Sequence, residues 1–165
     1  MATAHDRSAE LRLAATSAAP RRARDFLTAR CERWGVPELV ETGALAVSEL
    51  VTNAVRHAGT DFRLELRLDP GPDSPDGAAL TIAVHDSGGG WPVVVPPDQR
   101  SLGGRGLAMV AKIAEAWGAV ADAARDAGDD QVDNGQSDAG SGTGGKTVWC
   151  RIRVDPHDPA SVAGP

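Results

Sequence analysis

The sequence predicts an α+β fold: a two-layer α/β sandwich whose mixed, mostly antiparallel sheet is covered on one face by three helices. Three observations predict it. Phe62-Arg63-Leu64-Glu65-Leu66-Arg67-Leu68 alternates strictly between apolar and charged residues, the pattern of a strand with one buried and one wet face. Residues 70–77, rich in Pro, Gly and Asp, join it as a hairpin loop to a second apolar strand, Leu80-Thr81-Ile82-Ala83-Val84-His85. Three further segments carry apolar residues at helical spacing and can cover the dry face.

Each element follows from local chemistry. Glu10 to Ala15 alternates and predicts a first strand at an edge. Ser17 and Pro20 mark a helix start, and residues 21–34 place Ala23, Phe26, Leu27, Cys31 and Trp34 at helical spacing before Gly35 closes the helix. Pro37 opens a second helix that runs to His57, with Glu38 and Glu41 near its positive N-terminus. Val47, Leu50, Val51, Ala54, Val55 and Ala58 form its packing arc, and Gly59 stops it. Residues 93–102 have no strong period and read as a loop or lid. Gly103-Gly104-Arg105-Gly106 then opens a third helix, with Leu107, Val110, Ala111, Ile113, Ala114 and Trp117 as its apolar positions and Gly118 at its end. Residues 122–145 are mostly Gly, Asp, Ser, Asn and Gln and read as a disordered insertion. Thr147 to Val154 is the last strand, with Val148, Cys150, Ile152 and Val154 on one face. The domain therefore spans residues 9–154, between flexible tails at 1–8 and 155–165.

Composition narrows the function. A chain of 165 residues suits one domain with a real core. A net charge of −6 and a pI near 5.1 argue against a nucleic-acid surface, which needs clustered Lys and Arg. No apolar run has the length of a membrane span, and Met1 to Ser8 lack the apolar core of a signal peptide, so a cytoplasmic protein is expected. Cys31 and Cys150 stand far apart without CxxC spacing and read as buried thiols rather than a disulfide or a metal site.

Three stretches can carry chemistry. Glu49, Asn53 and His57, spaced i, i+4, i+8, form one polar stripe on the second helix, which is equally the solvated face of any helix. Asp86-Ser87-Gly88-Gly89-Gly90 follows a strand. Its carboxylate can accept a hydrogen bond from an exocyclic amine such as that of adenine, and its glycines admit a flat ring; a plain turn is the alternative. Gly103 to Gly106 opens a helix whose free N–H groups can bind phosphate, or serves as the hinge of the lid. Gly140 to Thr147 fits the letters of a P-loop, but an acidic low-complexity stretch precedes it and a strand follows, so it is a decoy. His57 and His85 have no further ligands at metal spacing. The four tryptophans lie at element ends and read as packing residues.

In this order the boxes resemble the GHKL (Bergerat) ATP-binding fold of gyrase, MutL and histidine-kinase catalytic domains. The stretches ELVTNAVRHAG, HDSGGGWP, GRGLAMV and GGKTVWCRI look most like the bacterial anti-sigma-factor serine/threonine kinase family. The resemblance implies ATP and Mg²⁺ as cofactors. It makes Asn53 the Mg²⁺ ligand and Glu49 the base that activates the attacking hydroxyl. It makes Asp86 the adenine reader, with Gly88 and Gly90 allowing close approach. Gly104, Arg105, Gly106 and Leu107 would line the triphosphate, and His57 and Ala58 the pocket wall. Thr147 matches a family position near the adenine pocket, with its neighbour Lys146 expected outside it. The Arg-Ser pair that often precedes the phosphate glycines is displaced here, as Arg100-Ser101, by Leu102-Gly103. The implied function is phosphorylation of an anti-anti-sigma (STAS-type) protein by a kinase that otherwise holds a sigma factor. The alternatives are a non-catalytic ATP-gated binding module and a simple ATPase on the same fold. Family members often dimerise, which extends to this chain the expectation of a homodimer.

Overall fold

The computed structural model describes residues 7–69, 78–88, 105–121 and 145–154. The expected hairpin loop, the lid, Gly90, Gly104, Arg100-Ser101, nearly all of the insertion and most of both tails lie outside them.

The elements run β1 (Ser8–Leu13), α1 (Ala19–Trp34), a 3₁₀ turn (Pro37–Leu39), α2 (Val40–His57), β2 (Phe62–Asp69), β3 (Ala78–Asp86), α3 (Arg105–Ile113), β4 (Ala116–Ala121) and β5 (Lys146–Val154). The five strands form one sheet in the order β1-β2-β3-β5-β4, antiparallel at every pairing. Alternation sorts the side chains. Leu13, Phe62, Leu64, Leu66, Leu68, Leu80, Ile82, Val84, Val148, Cys150 and Ile152 face the helices and are buried with Leu27, Leu50, Val51 and Val110. Arg63, Glu65 and Arg67 alternate with the buried set of β2 and stay partly or fully exposed, as the sequence pattern requires.

The helices obey their end signals. Gly35 caps α1 with φ 76°, a left-handed conformation that costs glycine little, while the Val36 N–H donates to Cys31 O at 2.9 Å. Gly59, at φ 62°, stands just beyond the end of α2. Within α2, Gly43 faces α1: a Cβ there would lie 3.1 Å from Leu27 Cδ1, so the missing side chain lets the two helices approach. The second helix is shorter at its start than expected, because Pro37–Leu39 closes as a 3₁₀ turn before the α-helix begins.

The main correction to the expected fold lies after α3. The helix ends at Ile113, and Trp117 and Gly118 belong to β4 rather than to its last turn. The Glu115 N–H donates to Arg151 O at 2.8 Å, which turns the chain into an edge strand beside β5. Gly118 pairs with Trp149, whose indole Nε1 lies 3.2 Å from where a Cβ of Gly118 would stand. The ring covers a gap that glycine would otherwise leave in the sheet. Among the described residues, no helix is long and apolar enough to cross a membrane.

Candidate functional site

Strand β3 ends at Asp86, whose Cα partner on β5 is Lys146. Both side chains lie on the helix-facing side, in parity with Val84 and Val148. They meet there as a sealed ion pair: Lys146 Nζ stands 2.7 Å from Asp86 Oδ1, with the side chains 4% and 1% exposed respectively. Two more bonds fix the arrangement. The Lys146 ammonium donates to Gly88 O at 3.0 Å, and the Gly88 N–H donates to Asp86 Oδ1 at 2.9 Å. Burying either charge without such partners would be strongly unfavourable.

Gly88 also joins this corner to α2. A Cβ on it would lie 2.5 Å from Ala58 Cα and 2.8 Å from His57 O, closer than real Cβ atoms come to backbone. Glycine is thus required here by the end of α2, not only by a ligand ring. The contact brings two sequence boxes together: the Asp86 box is seated against the C-terminal turn of the helix that carries Glu49, Asn53 and His57. On that helix Glu49, Asn53 and Ala58 are half-buried, and His57 is exposed. α3 packs against α2 as well. It begins at Arg105-Gly106, and its Leu107 is buried. Gly90 and Gly104 lie outside the described residues.

The last strand sends its first two residues to opposite faces of the sheet. Thr147 does not share the side of Asp86. Its side chain falls on the opposite face of the sheet, where Oγ1 lies 2.6 Å from His85 Nδ1. Lys146, expected outside the pocket, is the residue beside Asp86. Strand parity is the reason: with Val148, Cys150 and Ile152 facing the helices, residue 146 must face them and residue 147 cannot. The signal was therefore present in the apolar alternation. Because Lys146-Thr147 opens a strand, not a helix, the P-loop letters have no P-loop behind them.

The outer face holds a second polar cluster that sequence reading missed. His85, 7% exposed, bridges Thr147 and Glu65, with His85 Nε2 3.2 Å from Glu65 Oε2. Beside it a cavity of about 290 Å³ is lined by Glu65, Arg67, Thr81, Ala83, Val120, Thr147 and Trp149. The cavity belongs to the wet face and is separated from Asp86 by the sheet itself. Among the described residues no group of three or more His, Cys, Asp or Glu is arranged to hold a metal ion. Cys31 and Cys150 are free and buried, with burial pushing the first thiol up to about 11 and the second to about 12.

The histidine kinase-like ATPase domain family matches residues 13–134 of the chain. The match takes in α1, α2, β2, β3, α3 and β4, including the Glu49–Asn53 stripe and the Asp86 box, and ends before β5. No curated protein matches the chain.

Proposed function

The chain belongs to the histidine kinase-like ATPase domain family, and on that premise we propose that it binds Mg-ATP on the helix side of the sheet, between the end of β3, α2 and the start of α3. The observation that carries this reading is the seating of the Asp86–Gly88 corner on the last turn of α2. The donor set fits the ligand. Asp86 is a buried, pre-oriented acceptor for an exocyclic amine. The first N–H groups of α3 offer donors to phosphate oxygens. Asn53 supplies an amide oxygen, a hard donor suited to Mg²⁺, and the half-buried Glu49 stands one turn before it. A bound Mg²⁺ supplies neutralisation of charge on the phosphates.

The residues of the chain then divide the work. Asp86 accepts from the base and sets its orientation. Asn53 would hold the ion, and Gly104, Arg105, Gly106 and Leu107 would contact the phosphates. Glu49 accepts the proton of the attacking hydroxyl, so its removal spares binding and stops transfer. The acceptor in this proposal is a serine or threonine of a STAS-type anti-anti-sigma protein, and in its other state the protein holds a sigma factor. A kinase of this kind works mostly by positioning and charge stabilisation.

Incubation with labelled Mg-ATP and candidate STAS-type partners tests the proposal. Label is expected on Ser or Thr of a partner, and Glu49→Ala is expected to bind ATP and transfer none. Transfer that survives Glu49→Ala removes the base role. Binding with no transfer to any partner, or phosphate released to water alone, replaces the kinase by an ATP-gated binding module or an ATPase.

A further inference from the structure

The base-reading carboxylate is not alone. Lys146 and Asp86 are Cα partners in register, and the ammonium is held by Asp86 Oδ1 at 2.7 Å and Gly88 O at 3.0 Å. We propose that Lys146 is a second base-reading group, which donates to the ring acceptor adjacent to the exocyclic amine that Asp86 accepts. This rests on the nucleotide reading of the site.

The argument is one of charge. An exocyclic amine is neutral: it gives Asp86 a hydrogen bond but no counter-charge. If the amine displaced Lys146, a carboxylate and an ammonium that are both almost wholly buried would each lose their partner, a strongly unfavourable exchange. The ion pair therefore persists when the ligand enters, and once the residues that now leave its side chains 4% and 1% exposed have parted, the base meets an acceptor and a donor side by side. The edge that fits is one on which a donor N–H stands next to a ring acceptor, as the amine and N1 of adenine do. A base edge with a donor alone leaves an ammonium N–H facing carbon. Gly88 O is what makes the device rigid, since it ties the ammonium to the same turn that carries the carboxylate.

Calorimetric titration of the full chain with Mg-ATP, with its 1-deaza analogue (ring nitrogen replaced by C–H) and with Mg-tripolyphosphate as a base-free probe tests the assignment. The wild-type protein is expected to bind the analogue about tenfold or more weakly than ATP, the size of a hydrogen bond to a charged group. Lys146→Met is expected to bind ATP about tenfold more weakly and to treat the two nucleotides alike. The wild-type comparison stands even if the variant does not fold. Analogue and ATP binding equally to the wild type overturns the role of Lys146, and so does ATP binding to Lys146→Met as tightly as before or more tightly, which makes the ammonium a mere obstruction. Absence of ATP binding, or tripolyphosphate binding as tightly as ATP, overturns instead the nucleotide reading beneath it.

Discussion

His85 and Asp86 are consecutive in β3, yet they serve two regions with different physics. Asp86 faces the helices and meets Lys146 in a pair from which water is excluded. His85 faces outward and meets Thr147 on one side and Glu65, still 36% exposed, on the other. The same two strands, β3 and β5, supply the central pair of both clusters, one residue apart, and β2 adds Glu65 to the outer one. The difference teaches that proximity in sequence says little about shared chemistry in a strand, while parity says a great deal.

The contrast is sharpest in stability. Asp86→Ala leaves the Lys146 ammonium buried without its partner and is expected to cost about 3–5 kcal/mol. Glu65→Ala removes a half-open contact and is expected to cost less than about 1 kcal/mol. Urea unfolding at neutral pH measures both, and equal losses would erase the distinction between the two faces.

A smaller effect reports on how dry the helix side is. Cys150 lies on the inner face of β5, and burial pushes its thiol up from the ordinary 9.0 to about 12; Cys31, in α1, is pushed up to about 11 by burial first and then by Glu38 and Glu32. A pKa raised by folding means that the folded state keeps its proton while the unfolded state loses it. That stabilisation is intact below pH 9 and is lost as pH rises from about 9 towards 11 for Cys31 and 12 for Cys150. Thiol titration at pH 8 should find neither cysteine reactive in the native protein and both reactive in urea, and unfolding free energy should fall above pH 9. Rapid native labelling of Cys150 would mean that the inner face is open to water.

Most of the fold could be read from the chain because its signals are local. The alternation of Phe62–Leu68, the end glycines Gly35 and Gly59 and the apolar arc of α2 each act within a few residues. β4 could not be read so. Ala116–Ala121 has little strand propensity, and its apolar residues continue the helical spacing of α3. It becomes a strand through its pairing with β5, on the far side of the 122–145 segment, and through the Trp149 ring laid over Gly118. The site divides the same way. The Asp86 box and the α2 stripe were visible as patterns, but their contact at Gly88 and Ala58 is tertiary. Lys146 was missed by following the family resemblance in place of strand parity, since the resemblance points to Thr147 and alternation places Lys146 beside Asp86.

The central claim is that nucleotide enters on the Asp86 face and not on the Thr147 face. Calorimetric titration with Mg-ATP of two variants, Asp86→Asn and Thr147→Val, tests it most directly. Asp86→Asn replaces the charged acceptor for the base amine by a neutral amide and takes the counter-charge from Lys146, and in the folded protein it is expected to weaken binding at least tenfold, while Thr147→Val, which removes the bond to His85 on the outer face, is expected to leave the affinity within about twofold of wild type. Retained binding in Asp86→Asn together with lost binding in a folded Thr147→Val would contradict the account and move the ligand to the outer face.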